Sequence, residues 1–370
     1  MKRFISFIAL LLTMVMLFSA CNSGTNPEVT TPESTTPAET TPAETTKPVE
    51  TTPNPVELNP TCEHIFTSRI VLKQVTTQSY GHIAHVCGNC GGWEEELIPA
   101  VKSLKILAIG NSFSDNALKY LPILAKELGI EEIIVGKLYR GSCSIDTHWS
   151  YAQSGASYDR FDLNTGDGWV KHTGAEATLR YALELYDWDV ITMQQVSGTS
   201  GVPSSLGNLQ NLVDYVFMYK TNPDVKFYWH MTWAYSQFST HGSFVNYGKD
   251  QMTMYNAIVD TTKNYVVPTN NFAGVIPAGT AVQNYRGNDI DNKTVESTYI
   301  TTDDGYHLKN YSEVLVAMTW LRTLTGLSLD DIKCNSHQDV NFATSELNIL
   351  KKAANNAYLN PYEVNSPYND

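Results

Sequence analysis

Between Leu104 and Leu329, short apolar runs alternate with stretches in which apolar residues recur every three or four positions. The runs Ile106–Ile109, Glu132–Val135, Asp189–Met193, Val225–Trp229 and Gly274–Pro277 predict strands. Ala117, Leu118, Leu121, Leu124, Ala125 and Leu128 have helical spacing, with Gly129 as a stop and Pro122 breaking or restarting the helix. Ala175–Leu185, Leu206–Tyr219, Asp250–Tyr265 and Tyr311–Thr325 predict further helices. Strands that are apolar almost end to end, separated by helices, imply an α/β fold with a parallel sheet covered on both faces. Ligands of such sheets bind beyond the carboxyl ends of the strands. Ser112 and Gln194 each fall just past such an end.

The rest of the chain has a different texture. Lys2 and Arg3 precede an apolar stretch from Phe4 to Phe18, which ends in Ser19-Ala20-Cys21. The stretch is short for a membrane span and predicts a secretory signal over residues 1–20. Cys21 directly after small residues resembles a bacterial lipobox. That resemblance implies lipidation of Cys21 and a place in the bacterial cell envelope, facing outside the cytoplasm. An ordinary signal with an incidental cysteine is the competing reading. Residues 21–60 are dominated by Thr, Pro and Glu, have almost nothing apolar to bury, and predict a flexible tether. After Asp330 the chain turns polar, and residues 331–370 predict one helix, Ser345–Ala357, followed by a loose tail.

Residues 61–100 carry paired soft ligands: Cys62 with His64, and Cys87 with Cys90 in a C-x2-C knuckle. Between them Arg69–Leu72 and Ile83–Val86 predict a hairpin. Four such ligands suit a tetrahedral structural zinc in a small zinc-ribbon-like module, with His82 and His85 as alternative ligands. A disulfide, Cys87–Cys90 or one involving Cys62, is the rival in an exported protein. Cys143 and Cys334 read as buried or incidental thiols.

Composition narrows the function. The 370 residues are 42% hydrophobic and carry a formal charge of −13. An acidic chain without clustered Lys and Arg argues against a nucleic-acid partner.

Two short segments carry chemistry. Gly110-Asn111-Ser112-Phe113-Ser114 follows the first strand of the core, and Asp304-Gly305-Tyr306-His307-Leu308 precedes its last long helix. A serine becomes nucleophilic when a base takes its proton, and an acidic neighbour holds the base in the right tautomer. His307 follows Asp304 by three positions, so one turn of chain can bring carboxylate and imidazole together; Asp303 is an adjacent rival for the acid. Ser112 also looks like an ordinary helix N-cap behind a strand.

These segments resemble the nucleophile and Asp-x-x-His blocks of the SGNH (GDSL-like) hydrolases. Arg140-Gly141-Ser142 resembles their second block, and the likeness spans about Ser103 to Leu327. The chain lacks the Gly-x-Asn-Asp of the third block and reads Met193-Gln194-Gln195 there, so the likeness is to a branch with Gln in place of that Asn. The resemblance implies a flavodoxin-like SGNH-hydrolase sandwich over residues 103–330. It implies a serine esterase with Ser112 as nucleophile, His307 as base and Asp304 as acid. The oxyanion hole would come from Ser112, Gly141 and Gln194, with Gln195 as the alternative, and no cofactor would be needed for catalysis. The expected substrate is an O-acyl ester, above all O-acetyl, on extracellular polysaccharide. A lysophospholipase or thioesterase on the same triad, and a non-catalytic surface carbohydrate-binding lipoprotein, are the alternatives. His148 and His230 read either as packed histidines or as cleft-lining ones.

Overall fold

A computed structural model describes residues 56–287, 291–334, 339 and 342–368. The expected signal, Cys21 and almost all of the tether lie outside the described residues.

A seven-stranded sheet organises the core. Its strands are β4 (Ser103–Gly110), β5 (Glu132–Tyr139), β6 (Arg160–Asn164), β7 (Trp169–His172), β8 (Val190–Met193), β9 (Lys226–His230) and β10 (Gly274–Ile276), in the spatial order β10-β9-β8-β4-β5-β6-β7. The five from β10 to β5 are parallel, and β6 and β7 extend the β5 edge antiparallel. The sheet is therefore mostly rather than wholly parallel. Among the parallel strands the order is 2-1-3-4-5, so the chain reverses direction between β4 and β8 and leaves a crevice beyond their carboxyl ends.

The helices form two groups. α1 (Ser112–Leu118), α2 (Leu121–Glu127), α7 (Ala278–Arg286), α9 (Asn310–Thr325) and α10 (Thr344–Leu359) pack together. α3 (Ile145–Ser154), α4 (Leu179–Leu185) and α5 (Leu209–Tyr219) form the other group, while α6 (Gln251–Thr261) follows β9 and α8 (Lys293–Val295) is a single turn. Right-handed crossovers require such a division, because connections running in opposite directions along the sheet land on opposite faces. Covered on both sides, β4 is buried from Ile106 to Gly110. Pro122 lies in the first turn of α2, where its missing N–H costs nothing.

Two expected boundaries change. α10 packs along α9 and α7, and the tail after it is tied down by Asn365 N–H to Asn284 Oδ1 at 2.6 Å and Thr280 Oγ1 to the Pro361 carbonyl at 2.6 Å. The C-terminal helix is thus part of the core, and the tail is not loose. The N-terminal module is a three-stranded meander, not a hairpin: β1 (Phe66–Lys73), β2 (Gly81–Cys87) and β3 (Trp93–Ile98), all antiparallel. It meets the core near the amino ends of the strands, where Glu96 approaches Lys226 at 3.9 Å, Arg69 donates to the Tyr358 carbonyl, and Val75 bridges Leu327.

A buried ion pair braces the segment leading to the Asp-x-x-His block. Arg286 grips both carboxylate oxygens of Glu296 at 2.9 and 3.1 Å and donates to the Ala234 carbonyl, while Thr301 donates to Glu296. Arg286→Met leaves a buried carboxylate unpaired and is expected to cost about 3–5 kcal/mol in urea denaturation. The double variant Arg286→Met/Glu296→Leu should recover most of that loss.

Candidate active site

Gly110 ends β4, and Asn111 turns the chain into α1. The Asn111 side chain accepts the Phe113 N–H at 3.0 Å and caps the helix, so Ser112 is the first helical residue rather than the cap. A first-turn N–H has no partner within its own helix, which leaves the Ser112 amide available.

The partners of Ser112 come from the turn before α9. Ser112 Oγ lies 2.8 Å from His307 Nε2, and His307 Nδ1 lies 2.7 Å from Asp304 Oδ2. The other Asp304 oxygen accepts the Tyr306 and His307 N–H groups at 2.9 and 3.0 Å. Burial pushes the Asp304 carboxyl upward, but those two N–H groups and the imidazole outweigh it and hold the group below the usual carboxylate range. Asp304 is therefore ionised at neutral pH and accepts a proton-bearing Nδ1, which leaves Nε2 as the acceptor for the serine hydroxyl. Asp303 is exposed, and the 2.7 Å contact to the imidazole belongs to Asp304.

The two segments are latched together. Asn116 on α1 accepts the Leu308 N–H at 3.1 Å and donates to Glu313 on α9 at 2.8 Å. Lys119 completes the latch on Glu313 at 2.6 Å. Trp233 stacks on Phe113 at 4.1 Å and donates its ring N–H to the Tyr306 carbonyl at 2.8 Å. At Gly305 φ is +75°, and a Cβ there would meet the Ser239 backbone at 2.8 Å.

Ser112 and His307 open into a pocket of about 260 Å³, walled also by Tyr139, Gly141, Ser197 and Tyr306. Of the expected oxyanion donors, Ser112 and Gly141 line this pocket and Gln194 does not. Gln194 is buried behind Asn111. Its Nε2 donates to Asn111 Oδ1 at 2.8 Å, and its Oε1 accepts Ser114 Oγ at 2.6 Å and His230 Nδ1 at 2.8 Å. A Cβ on Gly110 would fall 2.0 Å from Ser114 Oγ, so only glycine admits this arrangement without displacing that hydroxyl. Gln195 is also occupied: its carbonyl oxygen accepts the Ile145 and Val196 N–H groups, and its nitrogen donates to Ser205. Asn111 takes the place on the wall expected for Gln194. The Gly141 N–H makes a long contact of 3.4 Å to Asp159.

His148 and His230 are packed histidines, fully buried away from the pocket, with burial driving each down to about 3. His241, which sequence reasoning passed over, lines the pocket instead. No motif marks it; its only local signal is the polar run Gln237–Ser243 after a strand.

A second cluster lies in the N-terminal module. Ligand atoms of Cys62, His64, Cys87 and Cys90 fall within 4.8 Å of one another, with Cys62 and Cys87 sulfurs 3.9 Å apart and Cys90 Sγ 3.8 Å from His64 Nδ1. Zinc bonds of about 2.3 Å to sulfur in a tetrahedron put neighbouring ligands roughly 3.8 Å apart. A disulfide needs about 2.05 Å, and all five described cysteines, Cys143 and Cys334 among them, are free thiols. Burial raises the Cys87 thiol, but His64 and the backbone N–H groups of Cys90, Asn89 and Ile65 bring it down to about 6. His82 and His85 pair with Glu95 and Glu96 at 2.9 and 2.8 Å and stand outside the cluster.

The fold and this arrangement define a mostly parallel α/β protein with a Ser-His-Asp relay at the switch point of its sheet. The chain belongs to the DUF4886 family, described as a domain of unknown function, whose profile matches residues 105–357. It is similar to a solved structure of a DUF4886 family protein from Bacteroides uniformis ATCC 8492, at 32% identity and a TM-score of 0.63, over 71% of this chain and 98% of that one. No curated protein matches it.

Gly305→Ala is expected to cost about 1–3 kcal/mol in urea denaturation from backbone strain alone, with more from the clash at Ser239. Ala at Gly242, where a Cβ meets nothing within 4 Å, should stay near the wild-type midpoint.

Proposed function

We propose that the protein is a serine esterase of the SGNH type that removes short acyl groups, foremost acetyl, from hydroxyls of extracellular carbohydrate. The observation that carries this reading is the unbroken relay from Ser112 through His307 to Asp304, open to solvent in a pocket beyond the strands' carboxyl ends. The 2-1-3-4-5 strand order, as in flavodoxin-like sheets, fits the SGNH assignment.

The chemistry follows from the tautomer. Ser112 Oγ attacks the ester carbonyl while its proton passes to His307 Nε2, and Asp304 stabilises the imidazolium that forms. The Ser112 N–H and the Gly141 turn, both on the pocket wall, are the groups offered to the oxyanion. Collapse breaks the carbonyl–alkoxy bond, and the leaving sugar oxygen takes the proton from Nε2. Water then attacks the acyl-enzyme, giving its proton to His307, and carboxylic acid is released as Ser112 regains its hydroxyl proton.

Pocket size and lining support the substrate class. Among the described residues no Lys or Arg lines the pocket to receive a phosphate headgroup. That disfavours the lysophospholipase alternative. Residues 1–60 support an exported protein, lipid-anchored in the bacterial cell envelope through Cys21 and held out on its tether within reach of polymers.

In the same reading Cys62, His64, Cys87 and Cys90 hold a structural zinc that would tie the segment before β1 to the turn between β2 and β3. The thiolate-rich set and its spacing fit zinc in a closed site, far from the relay.

Acetate release from O-acetylated polysaccharides should fall at least about a thousandfold in Ser112→Ala, and almost as far in His307→Ala, because the members act as a unit. Asp304→Asn should lose less than either. Retained turnover in Ser112→Ala would sink the esterase reading. Separately, elemental analysis should find about one zinc per chain, lost in Cys87→Ser/Cys90→Ser; a wild type that takes up no zinc would remove the metal.

A further inference from the structure

The pocket holds a second imidazole that the relay does not use. His241 lies on the segment between β9 and α6, and that segment is docked on the catalytic turn. Ser236 N–H donates to the Gly305 carbonyl at 2.7 Å, and Ser239 Oγ donates to the Asp304 carbonyl at 3.2 Å. The His241 ring meets Tyr306 edge-on at 4.8 Å between centroids, and Tyr306 lies 4.4 Å from His307. The two imidazoles are thus separated by a single tyrosine ring. A further ring, Tyr235, backs His241 at 4.9 Å.

The tautomer of His241 is set locally. Its Nδ1 accepts the Ser243 N–H at 3.2 Å, so in the neutral ring the proton sits on Nε2. Burial lowers the affinity of the ring for a second proton, and His307 adds to the effect while Asp304 opposes it. Among the described residues Nε2 has no hydrogen-bond partner, and the ring is only half-buried. A neutral imidazole therefore lines the same pocket as Ser112 and His307. Nearby, Ser197 and Ser243 add hydroxyls to the same wall. Gly198 packs so closely there that a Cβ would meet Ser243 Oγ at 2.7 Å.

Resting on the esterase reading, we propose that His241 is a specificity residue for the alcohol side of the substrate. Its Nε2–H binds a free hydroxyl of the leaving sugar, adjacent to the acylated oxygen, while the Tyr306 ring gives the sugar an apolar face to lie against. The ligand class is a neutral polyhydroxylated ring, since a neutral imidazole with neighbouring hydroxyls offers donors without charge.

The test compares two acetyl esters that share the acyl group and differ in the alcohol: a mono-O-acetylated methyl glycoside and 4-nitrophenyl acetate. His241→Phe keeps the ring packing and removes the donor. It should raise KM for the glycoside about five- to tenfold, as loss of one neutral hydrogen bond predicts, and its loss of kcat/KM there should exceed that on 4-nitrophenyl acetate by a similar factor. His241→Gln, which restores an N–H, should recover part of the discrimination and guards against misfolding of the first variant. Equal losses on both esters, or no loss on either, would overturn the proposal. If wild type and Ser112→Ala hydrolyse neither ester, the esterase reading itself fails, a different outcome from unaltered discrimination in an active enzyme.

Discussion

The arrangement rests on the 2.8 Å contact between a hydroxyl and an imidazole that stand 195 residues apart in the chain. No local propensity can hold such a pair, so several independent restraints converge on it. α1 presents Ser112 in its first turn, where the helix direction and cap fix the side chain. The Asp304 turn wraps a carboxylate in its own backbone N–H groups before offering one oxygen to the imidazole. Asn116 then bonds both the residue after His307 and the helix that follows. Each restraint is short-ranged and directional, and together they remove freedom that a water-exposed pair would otherwise keep.

Beneath the pocket, several polar groups are buried together. Asn111, Ser114, Gln194 and His230 bond to one another at the ends of β4, β8 and β9, Asn111 also donates to the Cys143 carbonyl, and His230 Nε2 is left without a partner among the described residues. A buried network of this kind favours one packing arrangement, because any shift leaves a donor or acceptor unpaired in a dry environment. The glycine at the end of β4 is the steric condition for it. The amide of Gln194 thereby supports the wall through Asn111 instead of forming it.

Much of this was legible in the sequence, for physical reasons. The five parallel strands announce themselves because burial on both faces demands unbroken apolar runs. The serine, histidine and acid stand out because two of them sit within one turn of chain. What stayed hidden has equally physical causes. β6 carries Asp162 and Asn164, buried with Arg160 and the Gly166 N–H as partners, and β7, the edge strand, carries Lys171; the Gly166 and Gly168 turn between them was the available signal. β3 reads Glu94-Glu95-Glu96, which resembles a solvated run until the histidines opposite it are seen. The role of Gln194 depended on which way its amide turns, and His241 on a loop folding back over the catalytic turn. Neither is encoded in spacing.

The meander gives the molecule a direction. Val56, the first described residue, accepts the Trp93 N–H within this module, and the module abuts the amino ends of the strands. The pocket opens at their carboxyl ends. Val56 itself therefore lies toward the pole opposite the pocket mouth. A partner seated on the meander would leave the mouth unobstructed.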